Sequence, residues 1–500
     1  MLKILSSPYA IGIALIAVLA VAGLSLVDMG FAVGVGMLMA LSAGTLLVLR
    51  RFGMRGKHVT VLFIVVLLLH AAAASFIYFT DFQPFSGGQG DYESYNQVAE
   101  HISYRFADGN FDVSQNIRRV SHFYPVVVAS VYALLFPSMI IGQFFNVWLA
   151  SLTILFLYFI IRELGGSARS GFIIGLIGSI YPSFLFYSSL LLKDVVVVLF
   201  VLLGLYLVLR MLRHFTWQVV SLLFLVSVVL TNFRFYVGII FLGTFFVSWF
   251  LFSSLEWRKR IVYAAIMIPL FGFIPQVAAG MGYFGLKAFV EYGNEDQIAF
   301  YKEEVYSPES VAQNKDIALS QTNNDGEVFF PEPVEQSKDI ALPQANNKDV
   351  VSQDSKKPVV EAEKDSEDDV ETIGYASSVD LQTSFESPIA FVSTFTESFL
   401  FVAVGPFPWQ FNAARHYVVL VELVPWYILL FFIGKGIIRS FKREPRALTL
   451  LIFSLGLLAL LALFFSNFGI TTRIRISAFL ALLPFISVAF LQLKESKKGN

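Results

Sequence analysis

Two carboxylates stand close together in the stretch GGQGDYESYNQVAEHISYRF, residues 87 to 106, which turns polar after a long apolar run. They are Asp91 and Glu93. Carboxylates can take a proton from a hydroxyl group, and their hard oxygen atoms also suit a divalent cation. Each also has a structural alternative, since Asp91 can be an N-cap and Glu93 can complement the dipole of a helix. The residue types alone leave these alternatives open.

The spacing of apolar residues places both carboxylates at the start of a helix. Gly90 and Asp91 are typical of a helix start, and apolar residues then recur three and four positions apart along one face: Tyr95, Val98, Ala99, Ile102 and Phe106. Tyr124 and Pro125 open a second short helix, VVVASVYALLF, which Pro137 closes. We therefore expect two helices that lie at a membrane surface.

Composition assigns the chain to the membrane proteins. Of its 500 residues, 56% are hydrophobic and only 15% are charged, whereas soluble domains contain about 45 to 50% apolar residues. There is no cysteine, which excludes disulfides, thiolate metal sites and a cysteine nucleophile. No P-loop, dinucleotide-binding glycine pattern or HExxH motif is present. The predicted fold class is an all-α polytopic membrane protein.

About twelve runs are long and apolar enough to span a hydrocarbon core of about 30 Å as helices. Their approximate limits are 8–27, 30–49, 58–79, 139–161, 170–188, 194–211, 216–232, 235–254, 261–280, 417–438, 447–466 and 474–493. With both termini in the cytoplasm, every basic cluster falls on the inner side, as the positive-inside rule expects. This orientation requires that the apolar stretch 389–405 be re-entrant or interfacial.

Two large segments then lie outside, residues 80–138 and 281–416. The second contains a polar tract, 302–372, with the near duplication NKDIALSQTNND at 314–325 and SKDIALPQANNK at 337–348. Such a tract cannot bury enough apolar surface to offset the entropy of ordering, so we expect a disordered insert. It is either a tether for a partner or a tolerated expansion.

Several positive side chains fall on the outer side, where the positive-inside rule does not place them. They are Arg118 and Arg119 in the first outer loop, Lys193 beside Asp194, Arg234 in the turn TNFRF, and Arg473 and Arg475 at the last span. Guanidinium groups bind phosphate oxygens in a fork, so these residues are candidates for a phosphate site. Alternatively, each snorkels to water or pairs locally. His122 either assists the phosphate or is a hydrogen-bonded structural residue.

Several segments resemble the GT-C superfamily of membrane glycosyltransferases. They include the outer loop GDYESYNQVAEHI, then HFYPVVVASVYALLFPS running into IIGQFFNVWLASLTILFLYFIIREL, and SIYPSFLFYSSLLLKDVVVVLFVLLGLYLVLRML at 179–212. GPFPWQFNAARHYVVLVELVPWYILL at 405–430 and SNFGITTRIRISAFLALLPF at 466–485 resemble later helices of members from polysaccharide gene clusters. The likeness is to bacterial relatives of protein O-mannosyltransferases and lipid A aminoarabinose transferases.

The likeness covers most of residues 60–280 and, more loosely, 390–490. The helices before residue 55 precede the part of the chain that resembles the family. The predicted spans and outer segments, taken with this likeness, divide the chain into four regions. They are an N-terminal transmembrane hairpin (1–57), a GT-C-like module (58–280), an outer loop (281–388) and a C-terminal transmembrane region (389–500).

The resemblance implies transfer of a sugar from a polyprenyl-phosphate-linked donor to an acceptor hydroxyl on the outer face of a bacterial inner membrane. Asp91 matches the family's acidic residue in the first outer loop and is the predicted base, with Glu93 as the alternative and Tyr95 positioning the substrate. The predicted donor-binding residues are Arg118, Arg119, His122, Lys193, Arg234, Arg473 and Arg475. No cofactor is certain from the sequence, and a divalent cation held by Asp91 and Glu93 is an alternative that the residues leave open. The acceptor is a glycan, a lipid or a protein.

Two other functions fit the same class of chain. A carrier or flippase of lipid-linked sugars also needs about twelve spans, often arranged as repeated halves with broken helices near the midplane. The two halves show no repeat of hydropathy, and the ionisable candidates are expected at the outer surface rather than in the middle of the membrane, which favours the enzyme. A polysaccharide polymerase or ligase would use the same chemistry with a longer donor.

Overall fold

The computed structural model describes residues 28–54, 56–82, 91–113, 122–276, 282–283, 387–407, 420–464 and 468–490. Within these ranges the chain is helical apart from one antiparallel pair of two-residue strands, β1 (Pro275–Gln276) and β2 (Gly282–Tyr283). The helices before the strands are α1 (Met29–Arg51), α2 (Lys57–Thr80), α3 (Asp91–Ala107), α4 (Tyr124–Leu134), α5 (Met139–Glu163), α6 (Ala168–Ser179), α7 (Pro182–Ser188), α8 (Asp194–Arg213), α9 (Trp217–Phe233), α10 (Phe235–Phe252) and α11 (Trp257–Gly272). Those after them are α12 (Pro388–Val404), α13 (Leu420–Arg443), α14 (Leu448–Phe464), α15 (Phe468–Leu482) and α16 (Pro484–Ala489).

Eight helical segments of the described ranges are long and apolar enough to cross a membrane, or nine if α6 and α7 form one span. The eight are Met29–Arg51, Lys57–Thr80, Met139–Glu163, Asp194–Arg213, Phe235–Phe252, Leu420–Arg443, Pro445–Phe464 and Thr471–Ala489. The α-helical polytopic architecture agrees with the prediction, whereas the number of about twelve spans is not confirmed. The predicted run 8–27 and the polar tract 302–372 lie outside the described residues.

Two predicted runs differ in detail. Residues 216–232 correspond to α9, which has 17 residues and is shorter than the eight segments above. The prediction of one apolar helix over 261–280 is wrong, because α11 runs from Trp257 to Gly272 and Pro275 lies in a strand. Helix α11 already includes one proline, Pro269, and ends three residues before the second, Pro275, which has no backbone N–H to continue the helical hydrogen bonds.

The predicted run 170–188 is not straight. Its two halves, α6 and α7, meet at a bend of 67°. Pro182 begins the second half, and Tyr181 before it has a ψ of 118°. This extended backbone is what a residue preceding proline prefers. The sequence signal for the bend is thus the proline inside an otherwise continuous apolar run.

The core of the bundle is formed by the helices that are enclosed on most sides, α5, α8 and the α15–α16 segment. Helix α5 packs against α1, α2 and α8, and α16 packs against α13. At Gly436 the backbone of α13 touches the carbonyl group of Phe485, so closely that any Cβ atom at this position would collide with it. Only glycine lets these two helices approach so far.

Ionic contacts mark the two ends of the bundle. At one end, which we call the basic end, Glu163 Oε1 lies 3.6 Å from Arg213 Nη1 and 3.8 Å from Arg446 Nη1. These contacts bring together the C-terminal ends of α5 and α8 and the start of the span Pro445–Phe464, which contains α14. At the opposite end, which we call the site end, α3 and α4 lie against the start of α8 and the junction of α9 with α10. The cytoplasmic location of the basic end stays a prediction.

Candidate functional site

Helices α3 and α4 lie together at the site end, α3 with a polar and an apolar face and α4 largely apolar. Helix α3 begins at Asp91 and buries Val98, Ala99 and Ile102, as the spacing of its apolar residues predicts. Helix α4 begins at Tyr124, with Pro125 in its first turn, also as predicted. The two helices pack against each other, and Tyr132 Oη donates a hydrogen bond to Asn96 Oδ1 over 2.6 Å. The pair therefore holds the first turn of α3 in one orientation.

Tyr95, one turn into α3, lies at the centre of a charged cluster. Its ring meets the imidazole of His122 edge-on at 4.9 Å and the ring of Tyr124 at 5.7 Å, and Lys193 Nζ lies 5.9 Å from its centroid. Burial raises the pKa of Tyr95. The negative charges of Asp91 and Asp194 raise it further, whereas the positive charges of Arg234 and Arg473 lower it. The phenol therefore stays protonated at neutral pH and is influenced by four charged side chains at once.

Asp91 forms the exposed edge of this cluster. Its Oδ2 accepts a hydrogen bond from Arg473 Nη1 over 2.6 Å, so the first turn of α3 is tied to α15 across 382 positions of sequence. The side chain of Asp91 is 55% exposed, whereas that of Arg473 is 19% exposed. Beneath the pair, the guanidinium carbon of Arg473 lies 5.4 Å from the ring centroid of Tyr187. No backbone N–H of the described residues donates to Asp91, so the N-cap alternative has no support in this geometry.

A second ion pair forms the buried side of the cluster. Arg234 Nη2 donates to Asp194 Oδ1 over 2.7 Å, and Arg234 Nη1 donates to Tyr236 Oη over 2.7 Å. The two charged side chains are 14% and 6% exposed. Arg234 lies between α9 and α10, and Asp194 is the first residue of α8. This pair joins three helices, and the Nε atom of Arg234 is buried without a hydrogen-bond partner among the described residues.

Lys193 brings an extra positive charge to the cluster. Within the part of the chain that the structure describes, its ammonium makes no hydrogen bond and no ion pair, although it lies against the ring of Tyr95. Burial lowers the pKa of Lys193 to about 7, and Arg234 adds to this effect while Asp194 and Asp91 oppose it. A partly buried cation without a counterion favours the arrival of an anion, which would restore its charge.

Asn146 positions the backbone that carries Lys193. Its Nδ2 donates to the carbonyl groups of Leu190 and Leu192, over 2.8 Å and 3.0 Å, and its Oδ1 accepts from Tyr124 Oη over 3.0 Å. Asn146 is fully buried on α5. One side chain therefore connects α4, α5 and the turn that immediately precedes Lys193.

His122 lies beside the cluster as a neutral imidazole. It is 1% exposed, and burial together with Lys193 and Arg234 lowers its pKa to about 2. Among the described residues, its Nδ1 has no hydrogen-bond partner. The cluster therefore contains three cations (Lys193, Arg234 and Arg473) against two carboxylates (Asp91 and Asp194), an excess of one positive charge when Lys193 is protonated.

A separate buried network surrounds Arg475. Its Nη2 donates to Glu422 Oε1 over 3.0 Å and its Nη1 to the carbonyl group of Gly405 over 2.9 Å. Tyr181 Oη donates to the same carboxylate over 2.5 Å, and the hydroxyl and the backbone N–H of Ser183 donate to its other oxygen. The network lies where α6 bends into α7. Glu422 and Arg475 are buried within the bundle, and the expectation that the ionisable candidates lie at the outer surface stays a prediction.

The structure separates the predicted site residues into one cluster and several residues that lie elsewhere. The structure brings together Asp91, Tyr95, His122, Lys193, Arg234 and Arg473, and it places Arg475 in the separate network. Glu93 accepts a hydrogen bond from Tyr92 Oη over 2.9 Å. Arg118 and Arg119 lie outside the described residues. Among those described, no group of three His, Cys, Asp or Glu side chains is arranged to hold a metal ion.

Three contributing residues were not among the predicted site residues. Asp194 was named only as a local partner of Lys193, yet its bond is to Arg234. Glu422 carries its own signal, because it is the only acidic residue in the apolar run 417–438 and a carboxylate inside a membrane segment is usually functional or paired. Asn146 has a weaker signal, because it is one of two side-chain amides, with Gln143, in a helix of mostly apolar residues.

Comparison with known proteins does not assign this chain to a family. No family model matches this chain, and a search of curated proteins finds no match either.

Proposed function

We propose that this protein is a glycosyltransferase of the cell envelope that moves a sugar from a polyprenyl-phosphate-linked donor to an acceptor hydroxyl on the outer face of the membrane. The observation that supports this proposal best is the cluster around Tyr95. It combines an accessible carboxylate, Asp91, with three cations, of which Lys193 has no counterion in the described part of the chain. A base next to an anion site is what such a transfer requires.

The chemistry is an inverting displacement at the anomeric carbon. The acceptor oxygen forms a bond to that carbon while the bond to the phosphate oxygen breaks, and the polyprenyl phosphate leaves with the electron pair. Asp91 takes the proton of the acceptor hydroxyl. Lys193 and Arg473 stabilise the charge that develops on the departing phosphate, since cations in a partly buried site act more strongly than in water. Phosphate is a good leaving group, so no acid is needed.

The place of the cluster in the fold fits a donor that arrives from the lipid. The cluster lies at the start of the apolar helix α8 and under the amphipathic helix α3, where a polyprenyl chain and a polar acceptor can meet. It also lies opposite the basic end, which the positive-inside rule assigns to the cytoplasm. A water-soluble nucleotide sugar would be supplied from that other side. We therefore infer an outward-facing reaction in a bacterial inner membrane.

The proposal is tested by transfer assays on the full chain in lipid nanodiscs. A panel of synthetic polyprenyl phosphate sugars is offered together with candidate glycan acceptors, and transfer of label is measured. We expect transfer by the wild type and a loss of about 10²- to 10⁴-fold in Asp91→Asn. Asp108→Asn, the same change in the exposed turn directly after α3, is the matched control and should retain activity. A folded Asp91→Asn variant with full activity would show that Asp91 is not the general base.

A second function has one specific observation in its favour. The span formed by α6 and α7 is broken, and the buried pair of Glu422 and Arg475 lies at the break. Broken spans with ionisable residues are typical of carriers. Helix α6 has 12 residues, about 18 Å against a core about 30 Å thick, so it is too short to cross the membrane without α7. Movement of a lipid-linked sugar across vesicles without formation of a glycosidic bond would favour this carrier function.

A further inference from the structure

Arg473 is only partly satisfied by its ion pair with Asp91. The contact uses one guanidinium nitrogen and one carboxylate oxygen, Nη1 and Oδ2. The Nε atom of Arg473 is buried and has no hydrogen-bond partner among the described residues. Arginine can bind phosphate with two parallel N–H groups, and Asp91 contacts only one nitrogen of this guanidinium, so a phosphate can form one bond more than Asp91 does.

The two carboxylates of the cluster differ in how easily they can leave. Both arginines also contact a tyrosine, Arg234 through its bond to Tyr236 and Arg473 through Tyr187, so the difference lies in the carboxylates, of which Asp194 is only 6% exposed. Asp91 is 55% exposed and accepts only the single bond from Arg473 within the described residues. An exposed ion pair contributes little to stability, because water solvates both partners once they separate. Of the two paired arginines, Arg234 and Arg473, it is therefore Arg473 that can exchange its anion.

An arriving phosphate gains contacts that Asp91 does not have. It can bind Arg473 through two N–H groups, and it can also supply the counterion that Lys193 lacks. We propose that Asp91 occupies Arg473 in the empty site as a stand-in for the substrate phosphate, and that the arriving lipid phosphodiester displaces it. This inference rests on the proposed function. Its consequence is that the carboxylate becomes free to accept a proton only when the donor is bound.

Binding of a lipid phosphodiester tests the exchange directly. The probe is a polyprenyl methyl phosphate, which keeps one negative charge over the neutral pH range, and its affinity is measured for the full chain in nanodiscs, with the neutral polyprenol as reference. If Asp91 competes for Arg473, then Asp91→Asn should bind the probe about three- to tenfold more tightly than the wild type. Asp108→Asn removes a carboxylate from the turn directly after α3, away from Arg473, and should leave the affinity unchanged.

A double variant distinguishes competition from a general change in charge. In an Arg473→Gln background, Asp91→Asn should no longer improve binding, because the residue for which it competes is gone. An unchanged or weaker affinity of Asp91→Asn, or an equal improvement in both backgrounds, would overturn the exchange while leaving the phosphate site in place. Equal binding of the phosphodiester and the polyprenol by the wild type would overturn both the exchange and the phosphate site of the proposed function.

Discussion

Arg473 and Arg475 lie two residues apart on the same helix and each pairs with a carboxylate, yet the pairs differ in almost every other respect. Arg475 and Glu422 are 1% and 6% exposed and lie 3.0 Å apart. Arg473 and Asp91 are 19% and 55% exposed and lie 2.6 Å apart. The shorter contact therefore belongs to the more exposed pair. Burial and the number of other partners, rather than distance, separate a structural pair from an exchangeable one.

Glu422→Gln should have the largest effect on folding. The change leaves the guanidinium of Arg475 buried without its counterion, which we expect to cost about 3 to 5 kcal/mol of stability. The midpoint of thermal unfolding in detergent measures the loss. Asp91→Asn, which removes a carboxylate from the exposed pair, should cost no more than about 1 kcal/mol. Similar losses in the two variants would contradict the distinction between the pairs.

Lys193→Met should have the next largest effect, on binding rather than on folding. Methionine keeps much of the apolar volume of the side chain but removes the cation that faces Tyr95. We expect the affinity for polyprenyl methyl phosphate to fall about 10- to 100-fold, which corresponds to one charge-assisted hydrogen bond. Arg213→Met removes an exposed cation from the basic end and is the control. A loss of affinity in Arg213→Met but not in Lys193→Met would place the phosphate site at the basic end and contradict the proposal.

The pH dependence of binding should be smaller and should depend on Lys193. Because the pKa of Lys193 in the empty site is about 7, the ammonium is fully present below that pH and is lost as the pH rises through it. A phosphodiester needs the charged form, so its affinity should fall about tenfold from about pH 6 to about pH 8. The same titration of Lys193→Met should be flat. A pH-dependent loss of the same size in that variant would assign the titration to another group.

Tyr124→Phe should have the smallest effect. It removes the hydroxyl that donates to Asn146 and leaves the remaining contacts of that amide intact. We expect a loss of about 1 kcal/mol in stability and a reduction of about threefold in affinity for the phosphodiester, since Asn146 fixes the turn before Lys193. Tyr104→Phe, at an exposed position of α3, should change neither quantity. A loss of stability with unchanged affinity would limit Asn146 to a structural role.

Local features of this molecule can be predicted from the sequence because a few neighbouring residues determine them. The start of α3 at Asp91, its buried face and the start of α4 at Tyr124 follow from spacing and from one proline. The eight membrane-length segments of the described ranges follow from hydropathy in the same way. The bend at Tyr181 also has a local cause, Pro182, which the continuous hydropathy of the run 170–188 conceals.

Pairing between distant residues could not be predicted in the same way. Asp91 and Arg473 are 382 positions apart, and no periodicity connects them. Arg473 and Arg475 look equivalent in sequence, since both are arginines at the start of an apolar run. Only packing separates them, because α15 turns one toward α3 and the other toward α13. The sequence predicts which side chains can bind a phosphate, and tertiary contacts decide which of them are available.

A structure of the full chain with bound polyprenyl methyl phosphate is the most direct test of the site. We expect the phosphate between Lys193 Nζ and the guanidinium of Arg473, with Asp91 detached from Arg473 and facing the bound ester. A phosphate bound at another place, with Asp91 still paired to Arg473 and Lys193 still without an anion, would contradict the assignment of this cluster as the donor site.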